Sequence, residues 1–234
     1  ATPALARSMA NAIAHRGPDS ANVWCDAAAG VALAHRRLSI VDLSPAGDQP
    51  MVSPDGRLVL AFNGEIYNHR ELRRELEIRE EKSAWRGHSD TEVLLAGLQC
   101  WGLLPTLQRL NGMFAFALWD KSKRVLTLAR DRLGEKPLYY GTQGRSFIFG
   151  SELKALACHP EWTGRICTGA LALYLRYTYV PDPWSIFEEI NKLQPGHYIE
   201  ISPSLSKPPA SQPYWSLREE IPEQRRTEDD TALL

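Results

Sequence analysis

Three short stretches of this sequence carry side chains suited to binding a small charged ligand and polarising a carbonyl group. The first is Arg37, which stands directly before an apolar run that reaches Val41. A guanidinium group in such a place can hold a ligand carboxylate through two parallel hydrogen bonds. A surface arginine at the start of a strand explains the same residue, so this stretch alone leaves both interpretations open.

The second stretch, Asn63-Gly64-Glu65, follows directly after the apolar run 58–62. The side-chain NH₂ of Asn63 and the backbone N–H of Gly64 are donors suited to an oxyanion hole, which stabilises a developing negative oxygen. Glycine allows a close backbone approach, and Glu65 can then accept a hydrogen bond from a ligand ammonium. The alternative is a plain hairpin turn, because Asn-Gly readily adopts positive φ.

The third stretch is Ser89-Asp90-Thr91-Glu92, which fits a helix capping box with Ser89 as N-cap and Glu92 three residues later. Capping and the helix dipole already explain these residues. The functional alternative makes Asp90 a second carboxylate for the same ammonium. One arginine, two carboxylates and an oxyanion hole suit a free α-amino acid with a side-chain carbonyl, although composition does not show that the three stretches meet.

Strands and helices must position these stretches, and hydrophobic periodicity predicts both. Predicted helices cover residues 5–14, 70–80, 93–100, 151–157 and 168–177. Predicted strands cover residues 31–33, 58–62 and 197–201, with two hairpins over 113–129 and 138–150. Because strands cluster with helices before and after them, the predicted class is α+β with mostly antiparallel sheets.

The composition is that of an ordinary globular protein, with 44% hydrophobic and 24% charged residues among 234. A net charge of -1 supplies no basic field for nucleic acid or an anionic membrane. No apolar run approaches the ~20 residues that span a bilayer. The four cysteines lack Cys-x-x-Cys spacing and the histidines lack a metal-binding pattern, so we expect no metal site, free thiols and a cytoplasmic location.

Longer strings around these residues resemble class II glutamine amidotransferases. The matching strings are HRGPD (15–19), AHRRLSIVD (34–42), FNGEIYN (62–68), SDTE (89–92), NGMFAFA (111–117), ARDRLGEKPLYY (129–140) and SELKAL (151–156). The strings YVPDP (179–183) and LQPGHY (193–198) are similar to the branch that contains glutamine-dependent asparagine synthetases. The resemblance covers nearly the whole chain in family order.

The resemblance implies an N-terminal nucleophile hydrolase fold, a four-layer αββα sandwich with two antiparallel sheets. It assigns the glutamine carboxylate to Arg37, the oxyanion hole to Asn63 and Gly64, and the glutamine ammonium to Glu65 and Asp90. The full set of implied glutamine-binding positions is Arg37, Leu38, Ser39, Ile40, Val41, Asn63, Gly64, Glu65 and Asp90.

The sequence departs from the family at its N-terminus. The family nucleophile is a cysteine at the mature N-terminus, within Cys-Gly-Ile, and its own α-amine serves as base. This chain begins Ala1-Thr2-Pro3, and the family's first strand is also missing. Cys25 is the nearest cysteine but lacks a free α-amine, so we expect a fragment that lacks its nucleophile and does not hydrolyse glutamine by itself.

The resemblance also implies the domain organisation. Residues 1–201 would form the amidotransferase domain, and residues 202–234 a linker to an ATP-dependent synthetase domain whose Ser-Gly-Gly-x-Asp-Ser loop does not occur here. ATP and magnesium would belong to that domain, with no cofactor in this one; the partners are L-glutamine and the linked synthetase, and a homodimer is left open. The implied function is ammonia supply to an ATP-activated aspartate. Alternatives are a non-catalytic glutamine-binding or interaction module, and amidation of another carboxylate such as a surface-polysaccharide sugar acid.

Overall fold

The computed structural model describes residues 2–40, 42–79, 85–202 and 210–220. Its helices are α1 (Pro3–Asn11), α2 (His69–Arg79), α3 (Asp90–Cys100), α4 (Leu103–Arg109), α5 (Leu153–Leu156), α6 (Thr168–Tyr177) and α7 (Leu217–Glu220). Its strands are β1 (Ser20–Asp26), β2 (Val31–Arg37), β3 (Met51–Val52), β4 (Leu58–Ile66), β5 (Gly112–Asp120), β6 (Val125–Arg130), β7 (Tyr139–Gln143), β8 (Ser146–Gly150), β9 (Ile190–Lys192), β10 (His197–Ile201) and β11 (Gln212–Pro213).

The described strands form three antiparallel sheets. The largest has six strands in the order β11-β10-β6-β5-β4-β3, and two smaller sheets have the orders β1-β2 and β8-β7-β9. The β5–β6 and β7–β8 pairs are the two predicted hairpins. The prediction of an α+β fold with antiparallel sheets is confirmed.

Strand β5 shows why the molecule is layered. Its alternate side chains Phe114 and Phe116 pack into a core with α2 and α3, whereas Ala115 and Trp119 pack into a second core with the smaller sheets. All four are buried. Because side chains of a strand point alternately to opposite faces, a strand that is apolar at every position must be covered on both sides.

The layers follow from these two cores. Helix α3 is apolar on most sides and packs with α2 over the six-stranded sheet, while α1 and α5 lie outside the two smaller sheets. The order is therefore helices, sheet, sheets, helices, as the resemblance implies. At the start of α3, the Ser89 hydroxyl accepts the N–H of Glu92 at 3.2 Å. The reciprocal bond of a capping box is not formed, because the Glu92 carboxylate accepts the N–H groups of Arg86 and Gly87 instead.

Several boundaries differ from the predictions. Strand β4 does not stop before Asn63-Gly64; it continues to Ile66, paired with β5 as far as Gly112. The hairpin-turn alternative for Asn63-Gly64 is therefore wrong. Helix α6 is confirmed at both ends. Strands β1, β3, β9 and β11 and helices α4 and α7 were not predicted; β1, for example, alternates polar and apolar residues only weakly.

The segment after residue 201 includes residues that pack onto this same fold. β11 pairs with β10, and the Tyr214 side chain is buried and donates its hydroxyl to the carbonyl of Arg130 at 2.9 Å. Within the described ranges, no helix has the length and apolarity needed to cross a lipid bilayer.

Candidate active site

Strands β2 and β4, which belong to different sheets, face each other and build the site. Leu33 of β2 lies in the core between the sheets together with residues of β4. Because side chains alternate along a strand, His35 and Arg37 share the face of Leu33 and also point into this space. Asn63 and Glu65 project from β4 into the same space, so the apolar core between the sheets ends in a polar cavity.

This polar cavity has a volume of about 450 Å³, within the range of small-molecule sites. The predicted residues that line it are Arg37, Leu38, Ile40, Asn63, Gly64, Glu65 and Asp90. Ser39 is not part of the lining, and its backbone N–H donates to the Asp19 carboxylate at 2.8 Å. Val41 lies outside the described residues. The structure thus brings the arginine, the two carboxylates and the Asn-Gly pair together from three separate stretches.

The edge of β4 facing the cavity presents backbone donors at every second residue. The N–H of Phe62 donates to Gln49 Oε1 at 2.6 Å, and the N–H of Ile66 donates to Asp90 Oδ2 at 2.9 Å. The N–H of Gly64, between them, points to the same side because backbone groups alternate along an antiparallel strand. A Cβ at Gly64 would collide with the carbonyl oxygen of Met113, so only glycine fits here.

Asn63 supplies a second donor beside Gly64. Its side-chain nitrogen Nδ2 is buried and has no hydrogen-bond partner among the described residues. Leaving such a donor unsatisfied costs about 1–3 kcal/mol. Asn63 Nδ2 and Gly64 N–H are therefore two preorganised donors on one wall of the cavity, the arrangement that a developing oxyanion requires.

Two carboxylates, Glu65 and Asp90, line the cavity near these donors. Asp90 is buried at the start of α3 and also accepts the N–H of Thr91 at 2.8 Å. Burial raises the pKa of Asp90, and the nearby charge of Glu65 adds to this increase. Among the described residues neither carboxylate forms an ion pair. Two neighbouring like charges without a counterion create a place for a cation.

Arg37, at the end of β2, is buried and already holds a loop of the chain. Its Nη1 donates to the Ser44 carbonyl and to the Asp48 carboxylate, both at 2.9 Å, and its Nη2 donates to the carbonyl of Asp42. A Cβ at Gly47 would collide with this guanidinium. Arg37 can reach a ligand only with its remaining donors or after the loop releases it, so its grip on a ligand carboxylate stays a prediction.

The sequence reasoning did not assign several other residues of the lining to the site, among them His35, Gln49 and Lys136. His35 Nε2 lies 2.9 Å from the carbonyl of Phe62, which can only accept, so this nitrogen carries the proton and Nδ1 is an acceptor. Nδ1 is buried without a partner. Burial lowers the pKa of His35 to about 4, so the ring is neutral at pH 7. His35 lies two residues before Arg37 on the same strand, and this spacing could have predicted that both side chains point to the same face. No comparable sequence pattern predicts the position of Gln49.

A second, apolar cavity of about 490 Å³ adjoins the polar one, and the two share His35, Phe62 and Asn63. Strands β2 and β8 and helix α1 line it. In the described part of the chain β2 pairs only with β1, and β8 pairs only with β7, so each strand has an unpaired edge. The apolar cavity therefore lies between two strand edges and leads to Asn63.

None of the four cysteines, all of which belong to the described residues, lines the polar cavity. Burial raises the pKa of Cys25, which reduces its thiolate fraction. The described residues contain no group of three histidine, cysteine or acidic side chains able to hold a metal ion.

Comparisons with known proteins agree with this architecture. A family model described as "Glutamine amidotransferase domain" matches residues 1–215. "Asparagine synthetase [glutamine-hydrolyzing] 3" of Bacillus subtilis is 38% identical over 197 residues, which cover 83% of this chain and 31% of that protein. "Amidase chry2" of Gibberella zeae is 34% identical over 223 residues, 93% of this chain and 31% of that protein.

A solved structure of similar fold is the glutamine phosphoribosylpyrophosphate amidotransferase of B. subtilis, with a TM-score of 0.64 and 19% identity. The similarity covers 91% of this chain and 47% of that one. The chain spans about 31% of the length of the two curated relatives. A family match over residues 1–215, together with this fold, shows that the chain belongs to the glutamine amidotransferase domain family.

Proposed function

We propose that this chain is the glutaminase domain of a glutamine-dependent asparagine synthetase. It releases ammonia from L-glutamine, and a linked synthetase domain transfers the ammonia to an ATP-activated aspartate. The single observation that supports this most strongly is the convergence of Arg37, Asn63, Gly64, Glu65 and Asp90 on one cavity. Similarity to a B. subtilis protein named as a glutamine-hydrolysing asparagine synthetase supports the choice of product.

In the proposed complex, the cavity recognises both charged groups of glutamine. Glu65 and Asp90 accept hydrogen bonds from the ammonium, which also relieves the repulsion between the two carboxylates. The guanidinium of Arg37 holds the carboxylate. The side-chain amide then reaches Asn63, which lies where the polar cavity adjoins the apolar one, and the neighbouring Gly64.

The proposed nucleophile is a cysteine at the N-terminal end of a strand that fills the apolar cavity between β2 and β8. The unpaired edges of these strands, and the position of Asn63 where the two cavities meet, support this location. The α-amine of the cysteine takes the thiol proton, and the thiolate adds to the amide carbon. The α-ammonium then returns the proton to the amide nitrogen, which leaves as ammonia, and water cleaves the thioester to glutamate and the free thiol. Asn63 and Gly64 donate to the oxygen that becomes negative in each addition.

The domain organisation is part of the proposal. The amidotransferase domain, on which β11 and Tyr214 still pack, would be followed by a linker and by a synthetase domain that holds ATP and magnesium. A location in the cytoplasm remains a prediction. The share of about 31% of each curated relative's length leaves room for such a domain in those proteins.

The acceptor has a second candidate, a carboxylate other than that of aspartate. Similarity to a protein named as an amidase, over 93% of this chain, favours keeping this candidate. The two are distinguished by supplying the proposed two-domain polypeptide with glutamine, ATP, magnesium and either aspartate or a panel of other carboxylic acids, including sugar acids. Glutamine-dependent amide formation identifies the acceptor.

Ammonia release tests the glutaminase assignment. We expect the chain extended at its N-terminus by the family's Cys-Gly-Ile strand to release ammonia from L-glutamine, and the same protein with serine in place of that cysteine to release none. Binding of glutamine without hydrolysis by the extended chain would instead support the non-catalytic module. Hydrolysis that persists in the serine form would contradict the proposed nucleophile.

A further inference from the structure

Helix α6 is unusual because it is apolar but almost entirely exposed. Of its ten residues, Thr168–Tyr177, only Ala170 is buried. Leu171, Tyr174 and Leu175 follow the i, i+3, i+4 spacing of one helix face, and Leu175 is 75% exposed. An isolated helix of this length is marginal in water, and an apolar helix face normally packs against another element.

Two more exposed aromatic residues lie at the end of the helix and just after it. The rings of Tyr177 and Tyr179 are 6.3 Å apart, and both side chains are exposed. We call Leu171, Tyr174, Leu175, Tyr177 and Tyr179 the α6 surface. A contiguous apolar surface that is rich in tyrosine is typical of a protein–protein interface.

The loop after α6 and the residues before α7 are connected through one turn of the chain. Asp182, three residues after Tyr179, accepts a hydrogen bond from Arg130 at 3.1 Å. Arg132, two residues after Arg130, lies over the ring of Trp215 at 5.9 Å. The loop after α6 and the residues before α7 therefore contact neighbouring residues of the same segment, Arg130 and Arg132.

The chemistry of the α6 surface favours a protein over a membrane or nucleic acid. Helix α6 has one charged residue, Arg176, whose guanidinium lies 5.2 Å from the ring of Tyr177. A single arginine provides no cluster of positive charge for phosphate groups. Both curated relatives are about three times as long as their matched region, so most of their length has no counterpart in this chain.

We propose that the α6 surface is where the synthetase domain of the same polypeptide docks. This inference rests on the proposed function for the identity of the partner. Docking buries the leucine and tyrosine side chains, stabilises the exposed helix and holds the two domains in one fixed arrangement.

Hydrogen exchange measured by mass spectrometry tests the docking directly. The 234-residue chain and the proposed two-domain polypeptide are compared under the same conditions. We expect amides of α6 to exchange at least about tenfold more slowly in the longer protein, as expected when docking suppresses local opening. Helix α2, which packs with α3 over the six-stranded sheet, is the internal control and should exchange equally in both. Equal exchange of α6 in the two proteins would overturn the proposal.

A pair of matched substitutions in the longer protein tests the same surface by function. Leu175→Glu should lower the amide product formed per glutamine hydrolysed and restore fast exchange in α6. Ile78→Glu, at a similarly exposed isoleucine of α2, should change neither. Product yield and exchange that are unaffected by Leu175→Glu would contradict the proposal.

The same measurements distinguish domain docking from self-association of the chain and from failure of the proposed function. Protection of α6 that appears in the 234-residue chain alone and disappears on dilution would identify a second copy as the occupant and overturn the proposal. Protected α6 in a longer protein without glutaminase activity would reject the proposed function while keeping the docking surface. Glutaminase activity with unprotected α6 would reject the docking surface alone.

Discussion

Strands β2 and β4 contribute residues to both the polar and the apolar cavity, yet the two linings have opposite character. Ala34 of β2 and Ala61 of β4 line the apolar cavity, whereas Arg37 and Glu65, a few residues further along the same strands, line the polar one. Four buried side-chain nitrogen atoms of the described residues lack a hydrogen-bond partner, and two of them, on His35 and Asn63, lie where the cavities meet. Unsatisfied buried groups are costly, so their position at this boundary indicates where a ligand group is bound.

The largest expected effect of a single substitution is at Asn63. In the N-terminally extended chain, Asn63→Ala should lower kcat for glutamine hydrolysis about 100- to 1,000-fold, the usual cost of losing one oxyanion donor. KM should change little, because the donor acts mainly in the transition state. Steady-state ammonia release measures both constants.

Asn22→Ala is the matched control, because Asn22 is exposed on β1 and does not line either cavity. It should leave both constants unchanged. A loss of less than about threefold for Asn63→Ala would contradict the role of this residue as an oxyanion donor.

His35 should make the stability of the fold depend on pH. Its pKa is about 4 in the folded protein against 6.5 as the ordinary value, so between these values the unfolded chain binds a proton that the folded chain does not. Stability should therefore fall as the pH decreases from 6.5 to 4, by about 3 kcal/mol. Urea unfolding at several pH values measures this.

His35→Gln keeps an N–H donor for the carbonyl of Phe62 but does not titrate, so its stability should depend less on pH in this range. His88→Gln removes an exposed histidine and serves as control. Identical pH profiles for the wild type and His35→Gln would show that His35 is not buried in the neutral form.

Arg37→Lys should weaken L-glutamine binding about 10- to 100-fold, because lysine keeps the charge but lacks the planar fork, and hydrogen bonds between charged groups contribute about 1.5–3 kcal/mol. Calorimetric titration of the chain with L-glutamine measures the affinity. Arg57→Lys is the control, since Arg57 binds Asp120 through two nitrogen atoms away from the cavity. Equal losses of affinity in the two variants would point to a general effect on the fold.

The smallest effect is expected for Glu65→Gln. Removing one of two neighbouring negative charges should weaken glutamine binding about fivefold, or about 1 kcal/mol, without loss of stability. The pKa of Asp90 should decrease towards its ordinary value, because Glu65 contributes to its increase. Glutamine binding in the wild type should weaken as the pH falls through the raised pKa of Asp90, and titration at several pH values measures this.

Local patterns predicted most elements of this fold but not how they meet. The run 58–62 was sufficient to predict a strand, but Asn63-Gly64 also favours a turn, and only pairing with β5 across Ala115 and Phe114 keeps the chain extended. Tertiary pairing overrides local preference in such cases. Strand β1 was missed for a similar reason. Its residues alternate only weakly between polar and apolar, and its pairing with β2 cannot be read from its own sequence.

The residues alone predicted three separate stretches, and the family resemblance assigned these stretches to one site. Arg37, Asn63 and Asp90 come from two strands of different sheets and from a helix start, and their proximity depends on packing between layers that no local pattern encodes. His35 and Gln49 were missed because their partners are backbone groups of Phe62, distant in sequence. Such side chain–backbone contacts between distant segments become visible only in the folded structure.

Nuclear magnetic resonance of the chain titrated with L-glutamine tests the central claim most directly. We expect saturable shifts of the side-chain NH₂ signals of Asn63 and the backbone amide signal of Gly64, and no such shifts with D-glutamine. Shifts that are absent at these two residues, or centred on another part of the surface, would contradict the assignment of the polar cavity as the glutamine site.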